Sequence, residues 1–145
     1  MVNGIELFTR VWNLAAMLFT LALALAAHPA VPAHDRAFVL HGECIYPPAL
    51  AEKLPDAAQI GCNTVGVSAD GVDFRLDGWD AHSRFFGTWN GDVLTVTAIQ
   101  PRGARRSEAR GDCRIDYANG AISMVSCSAF GKGRGWLANF RNVRP

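Results

Sequence analysis

The residues best placed to do chemistry lie in "LDGWDAHSR", Leu76–Arg84. Here Asp77, Asp80, His82 and Arg84 flank Trp79 in a segment that reads as a loop. An Asp–His pair of this kind suits general acid–base work. A hydrolase or isomerase built on His82 with Asp77 or Asp80 is therefore one reading. The chain carries no Gly-x-Ser-x-Gly elbow and no second acid at a telling interval, so no catalytic residue is assigned. The alternative use of the same stretch is contact: Trp79, Asp80 and His82 projecting from a loop end toward a ligand.

A second candidate is "RGARRSEAR", Arg102–Arg110, where four Arg stand against one Glu. Guanidinium groups match carboxylate and phosphate geometry. Arg102, Arg105 and Arg106 are thus expected to grip an anionic envelope component or an acidic protein face. Single-stranded nucleic acid is not expected, because few aromatics accompany the loop and the formal net charge is only +1.

The four cysteines have a different meaning. Cys44, Cys62, Cys113 and Cys127 contain no Cys-x-x-Cys spacing suited to zinc. Strand alternation would turn His41 and Glu43 away from Cys44, so "HGEC" cannot converge on a metal, and no metal or cofactor is expected. "GEC" at Gly42 and "GDC" at Gly111 open two similar segments, each meeting a second cysteine shortly afterwards. Proximity predicts Cys44–Cys62 and Cys113–Cys127 disulfides, which staple the fold and leave no reactive thiol. A tight turn at Asn119-Gly120 would place Cys113 opposite Ser126. A β-bulge near Val125-Ser126 is therefore expected to bring Cys127 into line.

The elements that must position these groups are hairpins. Asp70-Gly71, Asn90-Gly91 and Asn119-Gly120 suit two-residue turns with positive φ at both central positions. The first turn sets Val67 against Phe74, with Asp73 and Arg75 on the wet face. The second brings Leu94 and Val96 to Gly87 and Phe85. The third sets Tyr117 against Ile122 and Ile115 against Met124. About eight strands follow, near 37–46, 58–68, 72–77, 83–89, 92–99, 109–117, 121–130 and 135–142. The predicted class is all-β, a small antiparallel meander closed as a barrel or folded as a sandwich. One short helix is expected within Pro47–Leu54, between Pro48 and the stop at Pro55. Trp89 and Trp136 are assigned mainly to filling the core, and Trp79 to the surface.

Residues 1–33 have the layout of a signal peptide. A segment ending in Arg10 precedes the apolar run Val11–Ala27, and small residues allow cleavage after Ala26 or Ala33. An uncleaved anchor is the alternative, and would be the chain's only tie to a membrane. His28 and His34 fall in or beside the cleavage zone. Residues 34–145 form one exported β-domain, periplasmic or secreted.

In layout, a leader followed by a short disulfide-bonded β-barrel, the chain resembles the small exported lysozyme inhibitors. "SRFFGTWNGD", Ser83–Asp92, resembles their Ser- and Arg-containing strand with its aromatic and Gly-Asp turn, but lacks the Gly after Ser. That resemblance implies a periplasmic inhibitor of a cell-wall hydrolase, acting through a loop inserted into the enzyme's cleft. "GTW" at Gly87 with "GDVLTV" at Gly91 also resembles lipocalin strands. The leading expectation from the residues themselves is a non-catalytic exported module that binds through a loop end.

Overall fold

The computed structural model describes residues 37–143. The expected leader with its two candidate cleavage positions, His28 and His34 lie outside the described residues. Nine strands and one helix follow in chain order. They are β1 (Phe38–Cys44), α1 (Pro48–Lys53), β2 (Ala57–Gln59), β3 (Thr64–Ser68), β4 (Gly71–Arg75) and β5 (Ser83–Asn90). The remainder are β6 (Val93–Gln100), β7 (Ser107–Ala118), β8 (Ala121–Gly131) and β9 (Arg134–Asn142).

Antiparallel neighbours run β1-β3-β4-β5-β6-β7-β8-β9, and β9 pairs back onto β1 through Gly42 with Asn142 and Cys44 with Phe140. That last pairing decides between barrel and sandwich: the sheet closes. β2 is a short addition, lying parallel to the start of β9 where β1 does not reach. The expected strand 58–68 is therefore two strands. They are separated by Ile60–Asn63, where the chain passes from one neighbour to another. Proline placement works as anticipated at α1, which starts at Pro48 and ends before Pro55.

Alternation puts one face of every strand on the axis. Phe74, Phe85, Phe140, Leu94, Ile99, Val65, Val72 and Val125 are completely or almost completely buried there. Phe74 and Phe85 meet edge to face with centroids 5.7 Å apart. Each such side chain contributes about 1.5–3 kcal/mol by leaving water. Eight strands enclose a bore just wide enough for side chains to fill, and here the large residues occupy it. The bore is therefore occupied by the protein's own side chains.

Both disulfides form as the spacing implied, Cys44–Cys62 and Cys113–Cys127. Cys113 stands directly opposite Cys127. The bulge that permits this lies nearer the turn than expected. Tyr117 faces Ile122 while Asp116 faces Met124, so Ser123 is the extra residue and its hydroxyl bonds the Asp116 carbonyl. Ile115 consequently meets Val125 rather than Met124. In the first pair the Cys44 amide donates to the Cys62 carbonyl, one residue out of the β1–β3 register.

Two hairpins differ from expectation by a fixed step. Ser68 pairs with Gly71, so the first turn is centred on Ala69-Asp70, and Val67 faces Val72. Gly71 serves a close approach: a Cβ there would run into the Phe85 carbonyl of β5. Asn90 pairs with Val93, so the second turn is Gly91-Asp92, and Leu94 faces Trp89 and Val96 faces Gly87. Each shift moves the register by two residues and leaves every side chain on its assigned face. A further turn, Lys132-Gly133, joins β8 to β9 with positive φ at both residues, 51° and 73°.

Tyr46 ties α1's approach to the barrel by donating to the carbonyls of Ile60 and Leu137. Burial pushes its phenol up to about 12, overcoming the opposing hydrogen bonds.

Candidate functional site

One end of the barrel is built from three connections. They are the Pro101–Arg106 loop between β6 and β7, the Lys132-Gly133 turn, and the β2 segment leading into Gly61. Between them lies an open cleft of about 490 Å³. Its cationic side chains are Arg102, Arg105, Lys132 and Arg134. No Asp or Glu lines it. Ile60 and Trp136, both largely buried, belong to its floor. Among the described residues, Arg105, Lys132 and Arg134 make no ion pair, so their charges are available to a ligand. A volume of a few hundred cubic ångströms suits a small organic molecule or one to two sugar rings.

Arg102 has a different role within the same cleft. Its Nε donates to the Ala81 carbonyl at 3.2 Å and its Nη2 to the Gly61 carbonyl at 3.0 Å. The guanidinium also lies 5.2 Å from the centroid of Trp79. Its backbone amide donates to the buried Ser83 hydroxyl at 3.0 Å. Arg102 is thus a fixed charge that fastens the 76–82 loop to the barrel end. Ser83 accepts that bond and lines the cleft, which leaves its own hydroxyl proton to donate.

The Arg-rich loop does not send all its side chains to one end, as its sequence suggested. Arg105 faces the cleft, whereas Arg106 turns to the outer wall and stacks over Phe86 at 3.9 Å. Trp79 projects as expected, with 61% of its surface exposed. Asp80 is exposed and makes no ion pair among the described residues. His82 pairs with neither Asp77 nor Asp80. Its Nε2 lies 3.1 Å from Asp73 Oδ1. Asp77 instead caps its own connection, accepting from Thr64 Oγ1 at 3.1 Å while its amide donates to Asn63 Oδ1.

Asp73 is the largest departure from the strand-parity expectation. It faces outward on β4 yet is buried, because Arg84 of β5 folds over it. Arg84 Nη1 donates to Asp73 Oδ2 at 2.8 Å, and Nη2 reaches Asp70 at 2.6 Å and Ser68 at 3.0 Å. Arg75 adds a longer contact to Asp73 at 3.6 Å. The Ser68 hydroxyl, with help from Arg84, holds the Asp70 carboxyl below its usual range. This network bonds β3, β4 and β5 to one another and anchors His82 at the loop's end. Within it the Ser68 hydroxyl donates to Asp70 Oδ1 at 3.1 Å, while the nearby Ser83 Oγ accepts from the Arg102 amide.

Sequence reading located Arg102 and Arg105 but missed Lys132, Arg134, Ser83 and Trp136 as their companions. The available signal was "GKGRG", Gly131–Gly135, a glycine-spaced pair of cations between two strands. Among the described residues no three His, Cys, Asp or Glu side chains are grouped to hold a metal, and no helix is long and apolar enough to cross a membrane. Comparison with protein-family models, curated proteins and solved structures finds no match.

Proposed function

We propose that this protein is a non-catalytic binding module of the periplasm or extracellular space that takes an anionic ligand in the basic cleft at the barrel end. The observation that carries the proposal is the one-signed lining: Arg102, Arg105, Lys132 and Arg134 around about 490 Å³ with no acid among them. Unpaired cations held near one another repel, and a bound anion relieves that repulsion. The filled barrel axis supports an end site over an internal one. The two disulfides fit an oxidising, exported compartment. Trp79, Asp80 and His82 form the neighbouring loop, tethered to the cleft through Arg102, and Arg106 flanks it on the wall.

Calorimetric titration with inorganic pyrophosphate tests the reading. Saturable binding is expected for the wild type, weakening as salt rises. Arg105→Glu with Arg134→Glu should lower affinity about tenfold or more, since each reversal replaces an attraction with a repulsion. Both residues are exposed, so the melting temperature should hold. Equal binding by the double variant would remove the cleft from the account.

A further inference from the structure

The cleft continues past its rim. Gly131 and Lys132 line it, and both also line a second depression of about 700 Å³ on the outer wall over β6, β7 and β8. The register slips in this region: Val96 faces Gly111 while Ala98 faces Glu108, so two residues of β7 oppose one of β6. Such a bulge bends the strand and increases its local twist. The depression displays Thr95, Thr97, Glu108 and Arg110, with Phe130 beside them and 61% exposed.

From these features we infer that the two depressions form one continuous site for a chain of acidic sugars, with Lys132 at the junction. This rests on the anion-binding reading of the cleft. The cleft takes the anionic groups of one part of the chain. Phe130 supplies a flat apolar platform for the face of a sugar ring. Thr95, Thr97, Glu108 and Arg110 offer both donors and acceptors to ring hydroxyls. Charge complementarity selects an acidic chain, because Arg102, Arg105, Arg110, Lys132 and Arg134 face a single acid, Glu108. An extended peptide is less well served: β6, β7 and β8 are each paired on both sides, so no open strand edge lies in the groove to receive a peptide backbone. A lipid surface would meet only one large exposed apolar side chain along this route.

The test is a titration of the full mature protein with galacturonate and with oligogalacturonates of increasing length, beside pyrophosphate and poly-aspartate. Affinity should rise as the oligomer grows long enough to reach from the cleft to Phe130. Phe130→Ala should weaken the longer oligomers about three- to tenfold, the range expected for a lost stacking contact. It should leave pyrophosphate binding and the melting temperature unchanged. Thr97→Ala, also at an exposed position, should act in the same direction with a smaller effect. Pyrophosphate binding with no gain from oligomer length, or with Phe130→Ala silent, would overturn the extended site and leave the cleft standing. Poly-aspartate binding as tightly as the oligomers, with the same dependence on Phe130, would overturn the assignment to sugars. Absence of saturable pyrophosphate binding to the wild type would instead overturn the cleft itself.

Discussion

Replacing Lys132 with Asn should make the protein more stable and a weaker binder. Lys132 holds φ at 51° in a two-residue turn whose second residue, Gly133, holds 73°. That conformation brings the Cβ of an L-residue toward its own carbonyl and costs about 1–2 kcal/mol. Asn tolerates it better, because its short polar side chain bonds locally, and it is among the preferred residues of such turns. Lys132 is exposed, so its removal sacrifices little packing. A gain of about 0.5–1 kcal/mol is a reasonable share of the relieved strain. For a domain of this size, 1 kcal/mol moves the melting temperature by about 4–8 °C, so Lys132→Asn should melt roughly 2–8 °C higher by calorimetry. Loss of one cation at an exposed rim should reduce pyrophosphate affinity by about two- to fivefold. Gly at the same position relieves the strain more fully but adds unfolded-state entropy, so its gain should be smaller. A lower melting temperature for Lys132→Asn, or a rise with affinity unchanged, would refute the idea that strain is kept here for the sake of the charge.

Three further outcomes follow from the packing. Converting both Cys113 and Cys127 to Ala should lower stability in urea by about 3 kcal/mol or more, given the short loop they close and their complete burial; a loss under about 1 kcal/mol would contradict their role as staples. Asp73→Ala should cost about 2 kcal/mol, because it leaves the half-covered Arg84 with the exposed Asp70 as its one remaining carboxylate partner among the described residues; a silent substitution would mean that the network is decorative. Alkaline titration should show one phenol ionising late. The folded pKa of Tyr46 is raised to about 12, so its contribution is complete below the unfolded value near 10 and disappears as pH climbs through about 12. Near-ultraviolet absorbance of the wild type should show that late phase, and Tyr46→Phe should remove it.

The sequence carried the core better than the contacts above it. Val65, Val67, Phe74, Phe85, Leu94 and Ile115 all sit on the faces that alternation assigned, although two hairpins turn one residue away from the expected centre. A two-residue register shift preserves parity, which is why the core survived the misplacement. Asp-Gly at 70–71 misled because glycine serves two purposes. At Gly71 it allows β5 to approach, while at Gly120 it supplies positive φ. The Asp73–Arg84 pair was hidden because strand parity says which face a residue takes and not what folds over it from the next strand. The cleft was half visible. Its β6–β7 loop is dense in arginine, but its other cations come from a turn roughly thirty residues later in the chain. Pairing of β7 with β8, which sets Arg110 opposite Phe130, is what brings the Lys132-Gly133 turn to the same end as the Arg105 loop.

Amide chemical-shift mapping with pyrophosphate tests the basic cleft most directly, because it locates the anion without any substitution. Saturable shifts are expected to concentrate at 58–61, 102–107 and 131–136, with Trp136 among the responding indoles and the β3–β4 turn unmoved. Shifts scattered over the outer wall, centred on the 68–70 turn, or absent at the highest pyrophosphate concentration would contradict an anion site at the barrel end.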